Sequence, residues 1–189
     1  MALLEMGSDM EIMRVETLLD AYREGRREFC NLDLTSIQLF GQHLQGINLS
    51  GSCLQNANLA YAMLDTAIFV NANLAGADLT SACLRSTKLN GANLRDVQLL
   101  RSQCAEADFS HTSLVRANLV IADFRQTNLT GADLEGASLD SADFFGANLN
   151  EANLANCNLT RVRQANLHRA ILTRTTTLPT GLPYFEAEE

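Results

Sequence analysis

The 189-residue chain carries 22 acidic and 14 basic residues, which gives a formal net charge of −8 at pH 7. No apolar run approaches the length of a transmembrane helix, and an acidic chain is not expected to bind nucleic acid directly. The first seven residues contain Glu5 and no basic residue, unlike a secretory signal. We therefore expect one cytoplasmic domain that does not associate with membranes.

The first predicted element is an α-helix between Asp9 and Arg26, within an amino-terminal segment of residues 1–28. Asp9 is the predicted N-cap, and Gly25 followed by two arginines marks the end of the helix. Apolar residues recur at helical spacing, namely at Ile12, Val15, Leu18, Leu19 and Tyr22. The segment is therefore predicted to be an amphipathic helix.

A five-residue repeat follows. From Phe29 to Leu159 every fifth residue is Leu or Phe, apart from Cys104, which gives 27 consecutive repeats. We call this residue the central position. Two residues earlier lies the small position, which is Ala in 15 of 26 repeats, and directly before the centre lies the Asx position, which is Asn or Asp in 15 of 27. The two residues after the centre are the first and second outer positions. A period of five fits neither an amphipathic helix nor a strand, so it indicates an internal repeat.

The pattern Ala-(Asn/Asp)-Leu-X-X, seen in Ala57-Asn58-Leu59 and Ala147-Asn148-Leu149, resembles the pentapeptide-repeat family over about 70% of the chain. The stretch from Leu18 to Phe29 is similar to the leader of cyanobacterial members. The resemblance implies an all-β fold: a right-handed quadrilateral parallel β-helix of about seven coils, with four repeats per coil. Residues 29–160 would form this rod, and residues 1–28 would cap it with the α-helix.

Twenty residues per coil would place each residue directly above the one twenty positions earlier. Phe124 and Phe144 should then stack in the interior above Cys104, which we interpret as a small hydrophobic residue. With the ~4.8 Å spacing of paired strands, seven coils give a rod on the order of 33 Å long. Glycines share the second outer position, which indicates turns there.

The frame slips at Arg161, and the period resumes three residues out of phase at Ala165-Asn166-Leu167. Residues 161–189 are therefore predicted to hold the last, shifted repeats and a tail, Leu178 to Phe185, that folds across the last coil.

No catalytic or metal-binding constellation is found among these residues. The three histidines fall in different coils or beyond the slip, and the five cysteines form no Cys-X-X-Cys pair and no pair twenty residues apart. We expect reduced thiols, no cofactor, no metal and no enzymatic activity.

Some family members act as DNA mimics that bind topoisomerases, so this alternative has to be weighed. Between Phe29 and Thr160 there are twelve acidic and six basic residues, a net charge of −6. Duplex DNA of the same length carries roughly 19 charges, at about one per 1.7 Å. Asp123 and Asp143 should lie one coil apart, either as a solvated pair or as a site for a cation or a basic partner. DNA mimicry toward a type II topoisomerase is kept as the second hypothesis.

One predicted side of the rod is apolar. It is the side centred on Leu39 and every twentieth residue to Leu159, and its outward residues include Ala60 and the five residues that we call the apolar stripe: Phe40, Tyr61, Leu100, Val120 and Ile121. An aligned apolar patch is typical of a protein contact, although the amino-terminal segment or the tail could cover it instead. We therefore predict a non-catalytic interaction scaffold for a protein partner, itself a monomer or a weak homodimer.

Overall fold

The computed structural model describes residues 10–182, and its main feature is a ladder of parallel single-residue bridges between Asx positions twenty residues apart. The bridges run from Glu28–Asn48 to Asp143–Arg163, with one bridge for each five-residue step. Because each bridge joins two residues that are four repeats apart, the bridges form four columns, one on each side of the solenoid. The predicted coil of four repeats is thus the unit that the backbone builds.

Each repeat contributes two inward side chains and one tight turn. Central and small positions are buried almost without exception, and they form one continuous core along the rod. At the corners from Leu34 to Leu159 the backbone N–H three residues after the centre donates to the central C=O, as from Ala62 to Leu59 at 3.1 Å. The second outer residue of these turns has a positive φ whether it is Gly76 (68°) or Tyr61 (59°). This is the left-handed residue that a type II turn requires.

The interior aromatic residues stack as the twenty-residue spacing predicts. The rings of Phe124 and Phe144 lie 5.3 Å apart and only 10° from parallel, and Phe109 contacts Phe124 at 5.2 Å in a tilted arrangement. Cys104 is fully buried in this core, and burial raises the pKa of its thiol to about 12. The exceptional cysteine is therefore part of the packing.

The five cysteines are all free, and they divide into two classes. Cys104 and Cys157 are buried, and burial raises the pKa of the Cys157 thiol to about 12 as well. Cys30, Cys53 and Cys83 are half-buried on the outside of the rod.

Thiol labelling tests this division. At about pH 8 we expect a thiol reagent to modify the three outer cysteines of the native protein and to reach Cys104 and Cys157 only after denaturation, because only the thiolate reacts. Mass spectrometry of the labelled peptides gives the sites. Equal rates at all five cysteines in the native protein would contradict the buried placement.

The amino-terminal helix is shorter than the sequence predicts. The elements here are strand β1 (Glu11–Ile12), helix α1 (Val15–Arg23) and strand β2 (Leu32–Asp33). The prediction of a helix over Asp9–Arg26 is wrong at its start. Ile12 lies in β1, which pairs in parallel with the edge of the first coil at β2, and Arg14 is the N-cap. Asp9 lies outside the described residues. The open edge of β2 offers backbone hydrogen bonds that the helical pattern could not reveal.

The end of α1 agrees with the prediction. Gly25 has a φ of 100°, its N–H donates to Tyr22, and the N–H of Arg26 donates to Ala21, both at 3.0 Å. These two bonds form a Schellman motif, in which glycine supplies the left-handed residue. Leu18 on the inner face of α1 is fully buried and joins the core of the rod. The Tyr22 hydroxyl donates to the Gln45 carbonyl at 2.9 Å.

At the other end the coil becomes shorter. Asp143 still pairs with Arg163, twenty residues on, but Asn153 pairs with Ile171 and Asn158 with Thr177, eighteen and nineteen residues on. The slip that the sequence shows thus shortens the spacing between paired residues by two at Asn153 and by one at Asn158. Thr176 is buried there and donates to the Leu154 carbonyl at 2.9 Å. The aromatic residues of the predicted tail, Tyr184 and Phe185, lie outside the described residues.

Candidate partner-binding face

The face that carries the apolar stripe has a regular polar frame. Its Asx positions pair coil to coil, as Gln38 with Asn58 and Gln98 with Asn118. The Asn118 amide donates to Gln98 at 3.0 Å, and its oxygen accepts the Val120 backbone N–H at 3.3 Å. The side chain therefore links two coils and holds its own turn, which fixes where the two outer residues point.

The aromatic half of the stripe lies near the amino-terminal end. Phe40 and Tyr61 are each 57% exposed, and their ring centroids lie 5.5 Å apart with the planes tilted by 56°. They are separated by 21 residues because Phe40 occupies a first outer position and Tyr61 the second outer position of the next coil. The tilted contact is a geometry that aromatic pairs prefer. The pair is a preformed aromatic surface.

The aliphatic half lies two coils further along the same face. Leu100 and Val120 are half-buried on consecutive coils, and Ile121 is 51% exposed beside them. The Arg101 N–H donates to the Val120 carbonyl at 3.1 Å, so the two coils are directly paired at this point. Between the two halves lie Thr80 and Ser81, and Ala60 is buried. The stripe is therefore two apolar patches on one face.

Ile121 occupies its position against the preference of its side chain. Its φ of 60° is in the left-handed region, where a β-branched residue is strained by roughly 1–2 kcal/mol. Glycine or asparagine would meet the turn without this cost. The second outer residues from Asn31 to Arg161 all share this conformation, including Thr66 with a φ of 61°, so the strain comes from the repeated turn and is not particular to Ile121.

Some exposed apolar residues were not part of the predicted site. Phe145 is 54% exposed on the neighbouring side, directly after the buried Phe144. The repeat frame puts Phe145 at a first outer position, which predicts exposure. The adjacent Phe144 is at a central position, so the two phenylalanines together resemble a buried sequence. Ile12 in β1 and Ile171 in the shortened coil are also exposed.

The acidic residues Asp123 and Asp143 take part in ion pairs that the five-residue repeat does not predict. Asp123 and Asp143 do lie one coil apart. Arg125 contacts both oxygens of Asp123 at 2.8 Å, and its hydrogen bonds lower the pKa of that carboxyl; Arg163 lies 3.5 Å from Asp143. The two carboxylates are therefore each matched by an arginine.

A third ion pair extends this pattern. Arg161 contacts both oxygens of Asp140 at 3.0 and 2.6 Å, and its hydrogen bonds lower the pKa of Asp140. Arg161 and Arg163 lie just beyond the predicted rod. Extending the charge count from Thr160 to Arg163 adds these two arginines and changes the net charge from −6 to −4. Exposed pairs of this kind contribute little stability, but they reduce the negative potential of the rod.

Residues 10–182 contain no group of three or more His, Cys, Asp or Glu side chains placed to hold a metal ion. In the same range no helix has the length and apolar character needed to cross a membrane.

Together the four bridge columns, the buried central leucines and the outward polar frame define a β-solenoid built from five-residue units. The sequence profile described as pentapeptide repeats matches the chain in eight copies, over residues 33–69, 64–96, 102–140, 122–161 and 137–176. The chain belongs to the pentapeptide repeat family. No curated protein matches it significantly.

Three of the solved structures that match this chain are similar to it to different degrees. A trypsin-treated form of QnrB1, a plasmid-mediated fluoroquinolone resistance protein, is 18% identical, with a TM-score of 0.63 over 77% of this chain and 79% of that one. HetL of the cyanobacterium Nostoc, involved in heterocyst differentiation regulation, is 27% identical over 91% and 100%, with a TM-score of 0.35. Rfr23 of the cyanobacterium Cyanothece is 24% identical over 85% and 98%, with a TM-score of 0.42. The likeness to QnrB1 is one of fold.

Proposed function

We propose that this protein is a non-catalytic interaction scaffold that binds a protein partner through the apolar stripe. The observation that carries the proposal is the alignment of five exposed or half-buried apolar side chains on one face of the rod. Phe40 and Tyr61 offer a large aromatic contact with few rotatable bonds, and aromatic residues are enriched in the cores of interfaces. Leu100 and Val120 offer a second patch on the same face.

The proposed scaffold is a right-handed rod of about seven coils. In this proposal residues 1–28 include the helix that closes the first coil, residues 29–160 form the rod, and residues 161–189 close the other end. Five free cysteines suit a reducing compartment, so we place the protein in the cytoplasm. It would act as a monomer or a weak homodimer.

A mimic of DNA that regulates a type II topoisomerase is the second candidate. Its support is the acidic net charge of −8 and the shared fold with QnrB1, a fluoroquinolone resistance protein. The arginines beside Asp123, Asp140 and Asp143 count against it, because they neutralise part of the charge that a mimic has to present. We therefore rank it below the scaffold.

The stripe is tested by Leu100→Asp combined with Val120→Asp. We expect the double variant to fold like the wild type, because both side chains are partly exposed, and to lose its partner, because two charges would be buried unpaired in the interface. The measurement is affinity capture from the lysate of the organism that encodes the chain, quantified by mass spectrometry, with light scattering for self-association.

The matched control is Ser110→Asp with Thr130→Asp, which adds the same charges at first outer positions on the opposite side. Only proteins captured by the wild type and the control but lost with the stripe variant support the proposal. Equal capture by all three would refute the stripe. Inhibition of gyrase supercoiling by micromolar wild-type protein, unaffected by the stripe variant, would instead support DNA mimicry.

A further inference from the structure

Three residues with nitrogen or sulfur ligand atoms follow one another in a single bridge column. His43 pairs with Met63, and Met63 pairs with Cys83, both in parallel. All three occupy Asx positions, on the side of the rod that comes directly after the side of the apolar stripe. An imidazole, a thioether and a thiol therefore lie on consecutive coils, and we call these three residues the soft column.

Asx side chains on consecutive coils come close enough to share a ligand, as two polar columns of the rod show. The Asn93 amide donates to the Asn73 side chain at 3.0 Å, and the Asn128 amide donates to Asp108 at 3.0 Å. Paired strands lie about 4.8 Å apart. Histidine and methionine side chains span this distance, so the ligand atoms of the soft column can converge on one ion.

The soft column is accessible, and its thiol is not engaged elsewhere. His43 is exposed, and Met63 and Cys83 are half-buried on the outside of the rod. Among residues 10–182 the Cys83 thiol has no hydrogen-bond partner, whereas the Cys53 thiol on the opposite side lies 3.2 Å from the Thr35 hydroxyl. A metal ion can therefore reach Cys83 without breaking an existing hydrogen bond.

We propose that the soft column binds one copper(I) ion. Thiolate and thioether ligands select Cu(I), and imidazole is also a good copper ligand. The Cys83 thiol loses its proton to water when the metal binds, because the thiolate is the ligand. Met63 and His43 contribute neutral ligands, so the complex with Cu(I) carries no net charge. The site lies on a different side from the apolar stripe, and it goes beyond the scaffold function.

The surroundings disfavour harder and more highly charged ions. Structural zinc sites take four ligands from Cys, His, Asp and Glu, and within residues 10–182 no third side chain of these types joins His43 and Cys83. His43 also shares a groove with Arg23 and Arg27, whose charges repel a divalent ion more than a neutral complex. The expectation of no metal was based on histidines and cysteines, and Met63 is the residue that links the two.

The test is titration of the full-length protein with Cu(I), kept reduced by ascorbate in the absence of oxygen, in competition with the coloured chelator bicinchoninate. We expect one Cu(I) per protein. Cys83→Ser, Met63→Leu and His43→Ala should each weaken binding at least about tenfold, because even the loss of a residue that only supports a ligand costs about 10–100-fold in metal affinity. Met63→Leu keeps the size and apolar character of the side chain and removes only the sulfur.

The matched control is Cys53→Ser, which removes a half-buried thiol at an Asx position on the opposite side. It should bind Cu(I) like the wild type. X-ray absorption at the copper edge identifies the ligands: the wild type should show sulfur and nitrogen, and His43→Ala should lose the nitrogen. Circular dichroism melting checks that every variant folds.

The proposal would be overturned by a wild-type protein that binds no Cu(I), by wild-type affinity in Cys83→Ser, or by loss of the site in Cys53→Ser. It would equally be overturned if Cys83→Ser abolished binding while Met63→Leu and His43→Ala left the affinity unchanged. That result would mean that an accessible thiol binds copper by itself.

Discussion

Phe144→Ala is expected to lower the free energy of unfolding by about 3–5 kcal/mol, the cost of truncating a buried phenylalanine. The ring is 1% exposed and stacks on Phe124 at 5.3 Å, so its removal leaves a cavity beside a second ring. In a narrow interior with two inward residues per repeat, few side chains can move to fill that space. Urea denaturation followed by circular dichroism measures the loss.

The neighbouring Phe145 provides a matched control. It is the same residue type in the next position of the chain but is 54% exposed, so Phe145→Ala should cost well under about 1 kcal/mol. The difference in unfolding free energy between the two variants shows which of the two rings faces the interior. Similar losses for both would mean that the repeat frame has been assigned to the wrong face near this coil.

Leu18→Ala should destabilise the amino-terminal end by about 2–5 kcal/mol, because Leu18 is the fully buried residue by which α1 joins the core. Since a solenoid couples mainly neighbouring coils, we expect the loss to appear first in α1 and the first coil. Hydrogen exchange of the α1 amides should accelerate, and the exposed end should promote association at high concentration.

Thr17→Ala is the control, because Thr17 is an exposed neighbour on the same helix. It should leave both exchange and association unchanged. A Leu18→Ala protein with wild-type exchange rates in α1 would show that the helix does not close the rod through this residue.

Local periodicity was sufficient to predict the interior. Phe124 and Phe144 are twenty residues apart, and their stacking needs only a coil of four equal repeats. The end of α1 at Gly25 was equally predictable, because a left-handed residue after a helix is a local requirement. The start of α1 was not, since Ile12 fits both an amphipathic helix and a strand. Ile12 forms a strand because its backbone pairs with the free edge of β2.

The charged residues were also predicted only in part from the sequence. The sequence placed Asp123 and Asp143 one coil apart, but it could not show that Arg125 turns back onto Asp123. Long arginine side chains reach partners according to their rotamers and their neighbours, which a repeat frame does not specify. The shortened coil, where Asn153 pairs with Ile171, likewise depends on how the last turns find hydrogen-bond partners.

The sequence by itself determined which side chains face inward and on which of four sides each outward residue lies, because every repeat has the same length and repeats the same backbone turn. It also placed the five residues of the apolar stripe on one side. Only the tertiary structure decided that Phe40 and Tyr61 contact each other, that arginines contact the acidic pair, and that β1 pairs with the first coil at β2. These features depend on contacts between side chains of different coils and on where the chain leaves the solenoid, and neither is encoded in a five-residue period.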